Sequence, residues 1–189
     1  MATMDASQVG IGSADVTGAI FVAPENTSLP TDATTALGSS FSLLGFTSDA
    51  GVTISETSSK NDLRAWEGRT IVASPVTEYT ENVAFMPIQC NADVAKLIWG
   101  NDSVTVGTGG ALTVKHHGKT MKPVCIVIET TPRDNIIKRY CGIFQLTERG
   151  EHVMDGTQVE GRQLTFTAIA DEDGVTMYEY TAFVSGTTN

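Results

Sequence analysis

Positive charge is scarce in this chain. Twelve Lys and Arg stand against 22 Asp and Glu, a formal balance of −10 over 189 residues. Such a surface repels a phosphate backbone over most of its area, which excludes a nucleic-acid reader. Long apolar runs are also missing: the longest, around Val124 to Ile128, is strand-sized and far short of the roughly 18 residues of a membrane helix, so a soluble protein is expected. Met1 to Ser13 has neither a basic start nor an apolar stretch, so no secretory signal is read and synthesis in a cytoplasm is expected. Cys90, Cys125 and Cys141 are odd in number and form no CxxC pair, which removes a disulfide framework or zinc site and leaves buried thiols as the expectation. Charged residues make up only 18%, while hydrophobic residues reach 41% and Gly plus Pro supply 18 + 6 = 24 positions. One folded domain with frequent turns is the expected result.

What is present is a series of strand-like runs rich in Val, Ile, Thr and aromatics, bounded by Gly, Pro, Asn and Asp. Gly18 to Ala23 opens it, a Thr/Ser/Pro loop from Pro24 to Ala36 follows, and then Phe41 to Phe46. Gly51 to Glu56 alternates Val52 and Ile54 with Thr53 and Ser55, as a half-exposed strand does. Glu56 to Arg69 is the most polar interior stretch and reads as a protruding loop, in which Leu63 and Trp66 are spaced like one helical turn. In the run Ile71 to Gln89, Tyr79, Val83 and Phe85 share one face while Glu78, Thr80 and Asn82 share the other. Asn91 to Trp99 reads as a packing helix: Asn91 is a good N-cap, Asp93 sits in the first turn, Gly100 is the stop, and Val94, Leu97 and Ile98 form the apolar stripe. Val104 to Val106 and Ala111 to His116 flank a Gly-rich hairpin turn. Val124 to Ile128 is apolar on both faces and should be central. Ile136 to Thr147 points Tyr140, Phe144 and Leu146 inward, and Gln163 to Ala170 with Val175 to Phe183 form a closing hairpin around Asp171 to Gly174. The expected architecture is mainly β, with nine or ten strands in a sandwich or barrel-like arrangement and one flanking helix.

Chemistry-bearing motifs are wanting. No convergent acid, base and nucleophile is recognisable. His116 and His117 are adjacent, so on a strand they face opposite ways and cannot share a metal. Asp171 to Gly174 lacks the remaining ligands of a calcium loop. The glycines Gly107, Gly109 and Gly110 are followed by no GK[ST], so no phosphate cradle is formed. Neither a catalytic site nor a cofactor or metal is expected. Trp66 is the one odd residue, a large aromatic among Arg64, Glu67 and Arg69, suited either to packing within its own subunit or to anchoring in another copy. Charge is partitioned along the chain: residues 1 to 59 carry 0 − 6 = −6, residues 60 to 147 carry 10 − 8 = +2, and residues 148 to 189 carry 2 − 8 = −6. Acidic segments of one copy could therefore dock on the basic middle of another.

The tract GAIFVAPENTSLPTDATTALGSSFSLLGFTSDAGVTISET, then LRAWEG, then TEYTENVAF with the helix NADVAKLIWGND, resembles the major tail (tail tube) proteins of long-tailed bacteriophages, most of all those of actinobacterial hosts. GRQLTFTAIADEDGVTMYEY is similar to their closing hairpin. The resemblance covers roughly residues 17 to 183 and implies a single non-enzymatic tail tube domain. Six copies would close into a ring, and rings would stack into a tube in the virion tail that conducts DNA. It implies an N-terminal arm over residues 1–16, a protruding inter-ring loop over 47–70, the helix at 91–100 and a C-terminal tail at 184–189. Asp49, Glu56, Lys60, Asp62, Leu63, Arg64, Trp66 and Arg69 are then the inter-ring candidates. Further implied partners are tape measure, tail terminator and tail tip proteins, with genomic DNA passing through unbound and no membrane contact.

Elementary physics is compatible with this. Ring closure pairs sheet edges that a lone domain exposes. A ring of six carries about −60 formal charges, and a polar or acidic lumen keeps DNA mobile. Glu78, Thr80 and Asn82 are the lumen candidates, with Glu81 a weaker one because it falls on the otherwise apolar face. The competing expectations are a β-sandwich binding or decoration module of a phage particle, a tube protein of a contractile injection system and, remotely, a small β-barrel enzyme.

Overall fold

A computed structural model describes residues 9–10, 12–14, 18–133 and 136–183; the ends of the expected terminal arms, 1–8 and 184–189, lie outside them. Twelve strands occur among the described residues. They are β1 (Ile20–Pro24), β2 (Ser42–Leu43), β3 (Thr47–Lys60), β4 (Leu63–Arg64), β5 (Ile71–Ala73), β6 (Val76–Pro87), β7 (Val104–Val106), β8 (Leu112–Val114), β9 (Val124–Arg133), β10 (Ile136–His152), β11 (Arg162–Ile169) and β12 (Tyr178–Phe183). One α-helix, α1 (Ala92–Trp99), lies between β6 and β7. The mainly β class and the single flanking helix match the expectation. Eight strands form one antiparallel sheet in the order β2-β1-β9-β10-β11-β6-β3, with β12 also on β10, while β4-β5 and β7-β8 are separate two-stranded sheets.

Register assigns each residue to a face. On one face Ile20, Ile126, Ile128, Phe144, Leu146, Leu164, Phe166, Val83 and Phe85 are buried, with the Phe85 and Phe166 rings stacked at 5.4 Å. Helix α1 covers this face with Val94 and Leu97. Its start is set by the Asn91 side chain, which accepts a hydrogen bond from the Val94 amide at 2.7 Å, and its end by Gly100 at φ 88, a conformation that costs glycine little. Asp93 and Lys96 form an exposed ion pair on the outer side. The helix thus sits where the apolar spacing put it.

The opposite face is covered over β9 and β10 by the loop of residues 25–36. Arg139, 4% exposed, holds that loop down: Nε and Nη2 donate to Glu129 at 2.9 and 2.6 Å, and Nη1 donates to the carbonyls of Asp32 and Thr35. The Asp32 carboxylate in turn accepts from the Thr35 hydroxyl and from the amides of Thr35 and Thr34, which holds its pKa well below the usual range. Cys125 and Cys141 lie buried beneath the loop, their thiols directed at the carbonyls of Glu25, Thr27 and Pro30. Cys90 is exposed, contrary to the expectation of three buried thiols. Arg139→Ala should lower stability by about 3 kcal/mol or more, read as a fall in the urea midpoint, because it strands the Glu129 carboxylate and two carbonyls together. Arg139→Lys should recover only part, since a point charge cannot reproduce the fork.

Two expected elements differ. The closing hairpin does not form. Both β11 and β12 run antiparallel to β10 along the same edge, pairing with Ile143–His152 and Ile136–Cys141 respectively. Residues 170–177 are therefore an excursion from one continuous edge line, pinned by Asp171, which accepts hydrogen bonds from the Val175 amide and the Tyr178 hydroxyl. The bond to Asp171 raises the Tyr178 pKa to about 12. Opposite the gap stands Gly142, where a Cβ would lie 2.7 Å from the Thr176 carbonyl oxygen. The Asp-Glu-Asp-Gly segment does turn the chain, but the long strand β10 offers both flanking segments a partner. The second difference is the polar stretch 56–69, whose first five residues belong to β3.

Candidate assembly surfaces

β3 and β6 pair from Val52↔Phe85 through Lys60↔Val76, whereas β11 reaches β6 only over Asn82–Phe85. Among the described residues, 56–60 and 76–81 thus have no further strand neighbour in the main sheet and form a two-stranded arm. Glu56 to Lys60 is strand and not loop. Thr57, Ser58 and Ser59 have good strand geometry, and their polarity reflects that both faces of the arm meet solvent. At the tip, β4 and β5 pair across residues 65–70, and Gly68 and Arg69 have φ of 62 and 54, so Leu63 and Trp66 lie on a strand and a turn and not on a helical turn.

All but one of the inter-ring candidates fall along this arm. Asp49 is exposed near the opposite end of β3, within the main sheet and away from the arm, while Glu56 and Lys60 are exposed on the shaft. Asp62 accepts from the Ser74 hydroxyl at 2.6 Å and pairs with Arg64 at 3.6 Å, while Arg64 donates to the Arg69 carbonyl, so these polar groups fix the shape of the tip. Its apolar groups are uncovered: Trp66 is 95% exposed, and Leu63, Ile71, Val72 and Val76 are exposed with it. None of the described residues of its own subunit covers Trp66.

The lumen candidates separate. Glu78 and Thr80 are exposed on the face of the sheet away from α1, and Asn82, half-buried, accepts from the Thr167 hydroxyl at 2.7 Å. By register Thr53, Ser55, Thr57 and Ser59 of β3 and Thr165 and Thr167 of β11 stand on the same face. This ladder of hydroxyls includes one carboxylate, that of Glu78, and no Lys or Arg. Alternation points to Thr53 and Ser55, but only pairing brings the residues of three strands together. Glu81 turns the other way. It is 5% exposed and its carboxylate accepts from the Thr176 hydroxyl at 2.6 Å, tying the 170–177 excursion to the root of the arm. As folded it presents no charge to the hydroxyl face.

Near the end of α1, His116 stacks on Trp99 at 3.9 Å, His117 Nε2 lies 2.8 Å from the Trp99 carbonyl, and Arg149 and Arg162 approach the same ring at 4.9 and 5.8 Å. The two histidines occupy coil and converge on one indole, unlike the opposed strand pair expected. Arg149 Nε also donates to the Ile98 carbonyl, and burial together with Arg162 lowers its pKa. This cluster staples helix to sheet. Among the described residues no group of three or more His, Cys, Asp or Glu is placed to hold a metal, and no helix is long and apolar enough to cross a membrane.

The geometry comprises a hydroxyl-rich sheet face and an arm tipped with uncovered apolar groups, and the family model of the phage tail tube protein matches residues 2–182. The chain belongs to the phage tail tube protein family. It is a structural protein of the virion tail. No curated protein matches the chain. Among solved structures, a chain of the virion of a native gene transfer agent particle is 11% identical with a TM-score of 0.42, over 92% of this chain and 100% of that one. A chain from the tail of an empty gene transfer agent particle, refined with C6 symmetry, is 9% identical with a TM-score of 0.40, over 97% and 100%.

Proposed function

We propose that this tail tube protein assembles as stacked hexameric rings, with the hydroxyl face around Glu78, Thr80 and Asn82 lining the lumen and the β3-β6 arm bridging successive rings. The sixfold order is what the sequence resemblance implies. The observation that carries the rest is the arm itself, a strand pair that leaves its own sheet and bears a tryptophan 95% exposed. An isolated subunit gains nothing from such an element, since it costs backbone entropy and buries little. Burial against another copy gives it a purpose. Among the described residues β3 also has β6 as its one strand neighbour in the main sheet, so its outer edge offers free backbone groups that ring closure would pair.

The role is structural, without catalysis or cofactor. Tape measure, terminator and tail tip proteins are the expected neighbours, DNA is a passenger, and an actinobacterial host fits the sequence resemblance. Electron microscopy of the purified protein at high concentration tests this reading. Tubes with a sixfold end-on view are expected; isolated globules at every concentration would instead favour a decoration or binding module.

A further inference from the structure

The curved sheet brings β3 back toward β1 and β9, and between them on the helix-side face lies an open cleft of about 740 Å³. Ile20, Val52, Ile54, Ile128 and Tyr140 supply its apolar lining, and Lys138 stands at it, already paired with Glu179. Gly10, Gly12 and Ala14 contribute to one wall, where the Ser13 carbonyl accepts from the Thr131 amide and the Ser13 hydroxyl donates to the Thr131 carbonyl. One polar group in the lining is unsatisfied. Ser48 is 8% exposed, and its hydroxyl has no hydrogen-bond partner among the described residues. A buried orphan hydroxyl is costly and favours a partner from outside the subunit.

The same chain carries a group of matching chemistry. Trp66 offers a large apolar body and a single N–H donor, with no described residue of its own subunit covering it. It cannot reach the cleft in its own copy: Val52 lines the cleft, Lys60 ends the strand that leads to the tip, and eight residues of strand separate them by roughly 26 Å. A projection at one end of β3 and a cleft at the other are different patches, so their union is heterologous and repeats along the strand direction. We infer that the β1/β3 cleft is the receptor for the arm tip of a second copy, Trp66 entering against Val52 and Ile54 with its indole N–H donating to Ser48 Oγ. This rests on the inter-ring reading of the arm and adds the surface that receives it. Successive copies are then offset along β3 by at least that strand length.

The test uses the full-length chain with benzoylphenylalanine at position 66, mixing isotopically light and heavy copies in assembled tubes before irradiation. Cross-links between light and heavy chains should map to residues 45–54. In parallel, Ser48→Ala should leave monomer stability unchanged or raise it, since it deletes an unsatisfied group, while weakening assembly about fivefold by loss of one hydrogen bond. Val52→Trp, which fills the cleft, should cut tube yield tenfold or more. Cross-links that map elsewhere in well-formed tubes overturn the cleft as receptor and leave the tube reading standing. The cleft fails as receptor equally if Ser48→Ala destabilises the monomer and assembles normally, or if the N-terminal segment of either copy proves to fill the cleft. A wild-type chain that never forms rings or tubes overturns both.

Discussion

Cutting the arm back so that an Asn-Gly turn joins Thr57 to Thr80 should yield a subunit that folds normally and assembles no further than single rings. The cut removes residues 58–79, all outside the stretch where β6 pairs with β11, and Asn-Gly suits a two-residue hairpin turn. The core pairs Val52↔Phe85 and Ile54↔Val83 stay in place, so the β-sheet circular dichroism and urea midpoint should be close to wild type. What goes is Trp66 with Leu63, Ile71, Val72 and Val76, the exposed apolar groups of the tip. A buried interface tryptophan contributes on the order of 2 kcal/mol or more, so six per junction amount to about 12 kcal/mol. Long tubes should vanish in electron micrographs. Long tubes from the shortened chain would remove the arm from inter-ring contact altogether. Trp66→Ala alone should act in the same direction, and a fall in monomer stability with normal assembly would return that residue to its own subunit.

The second large effect is expected at the hydroxyl face. Replacing Glu78 and Thr80 by Lys changes each subunit by +2 and +1, and six copies by 6 × 3 = +18 per ring. Both side chains are exposed among Thr and Ser hydroxyls with no Lys or Arg between them, so new ammonium groups there would meet phosphate directly. Tubes should still form, because neither residue is in the buried core. Assembled particles should release DNA slowly or incompletely at low ionic strength and recover as salt shortens the Debye length below about 10 Å. Release at the wild-type rate in low salt, from tubes of normal appearance, would show that this face does not line the channel. Glu81 is left unchanged in this test, since its carboxylate is committed to Thr176 and its loss would disturb the 170–177 excursion instead.

Elements defined by short-range chemistry are legible in the chain. Asn91 and Gly100 bracket the helix because capping needs only neighbours a few residues away, and Val124 to Ile128 reads as central because both its faces are apolar. The alternation of Glu78, Thr80 and Asn82 against Tyr79, Val83 and Phe85 survives intact in β6. Elements defined by partners are not legible in this way. A polar run such as Thr57 to Ser59 looks the same as loop or as strand until β6 lies beside it. Glu81 looks like one more surface carboxylate until Thr176, 95 residues on, arrives to bond it.

From the order of residues alone follow a mainly β domain with one packing helix, a formal charge of −10, and a tail tube identity carried by the succession of motifs. Periodicity, capping and net charge are properties of neighbours and of sums, and they persist whatever the distant chain does. Only the folded chain shows that the polar stretch is a strand arm, that the last two strands share one edge of β10, and that among the described residues Trp66 stands free while Ser48 is buried unpaired. Each of these depends on which segments meet across more than a dozen residues, where pairing and burial are set by long-range hydrogen bonds and by competition for a common sheet edge.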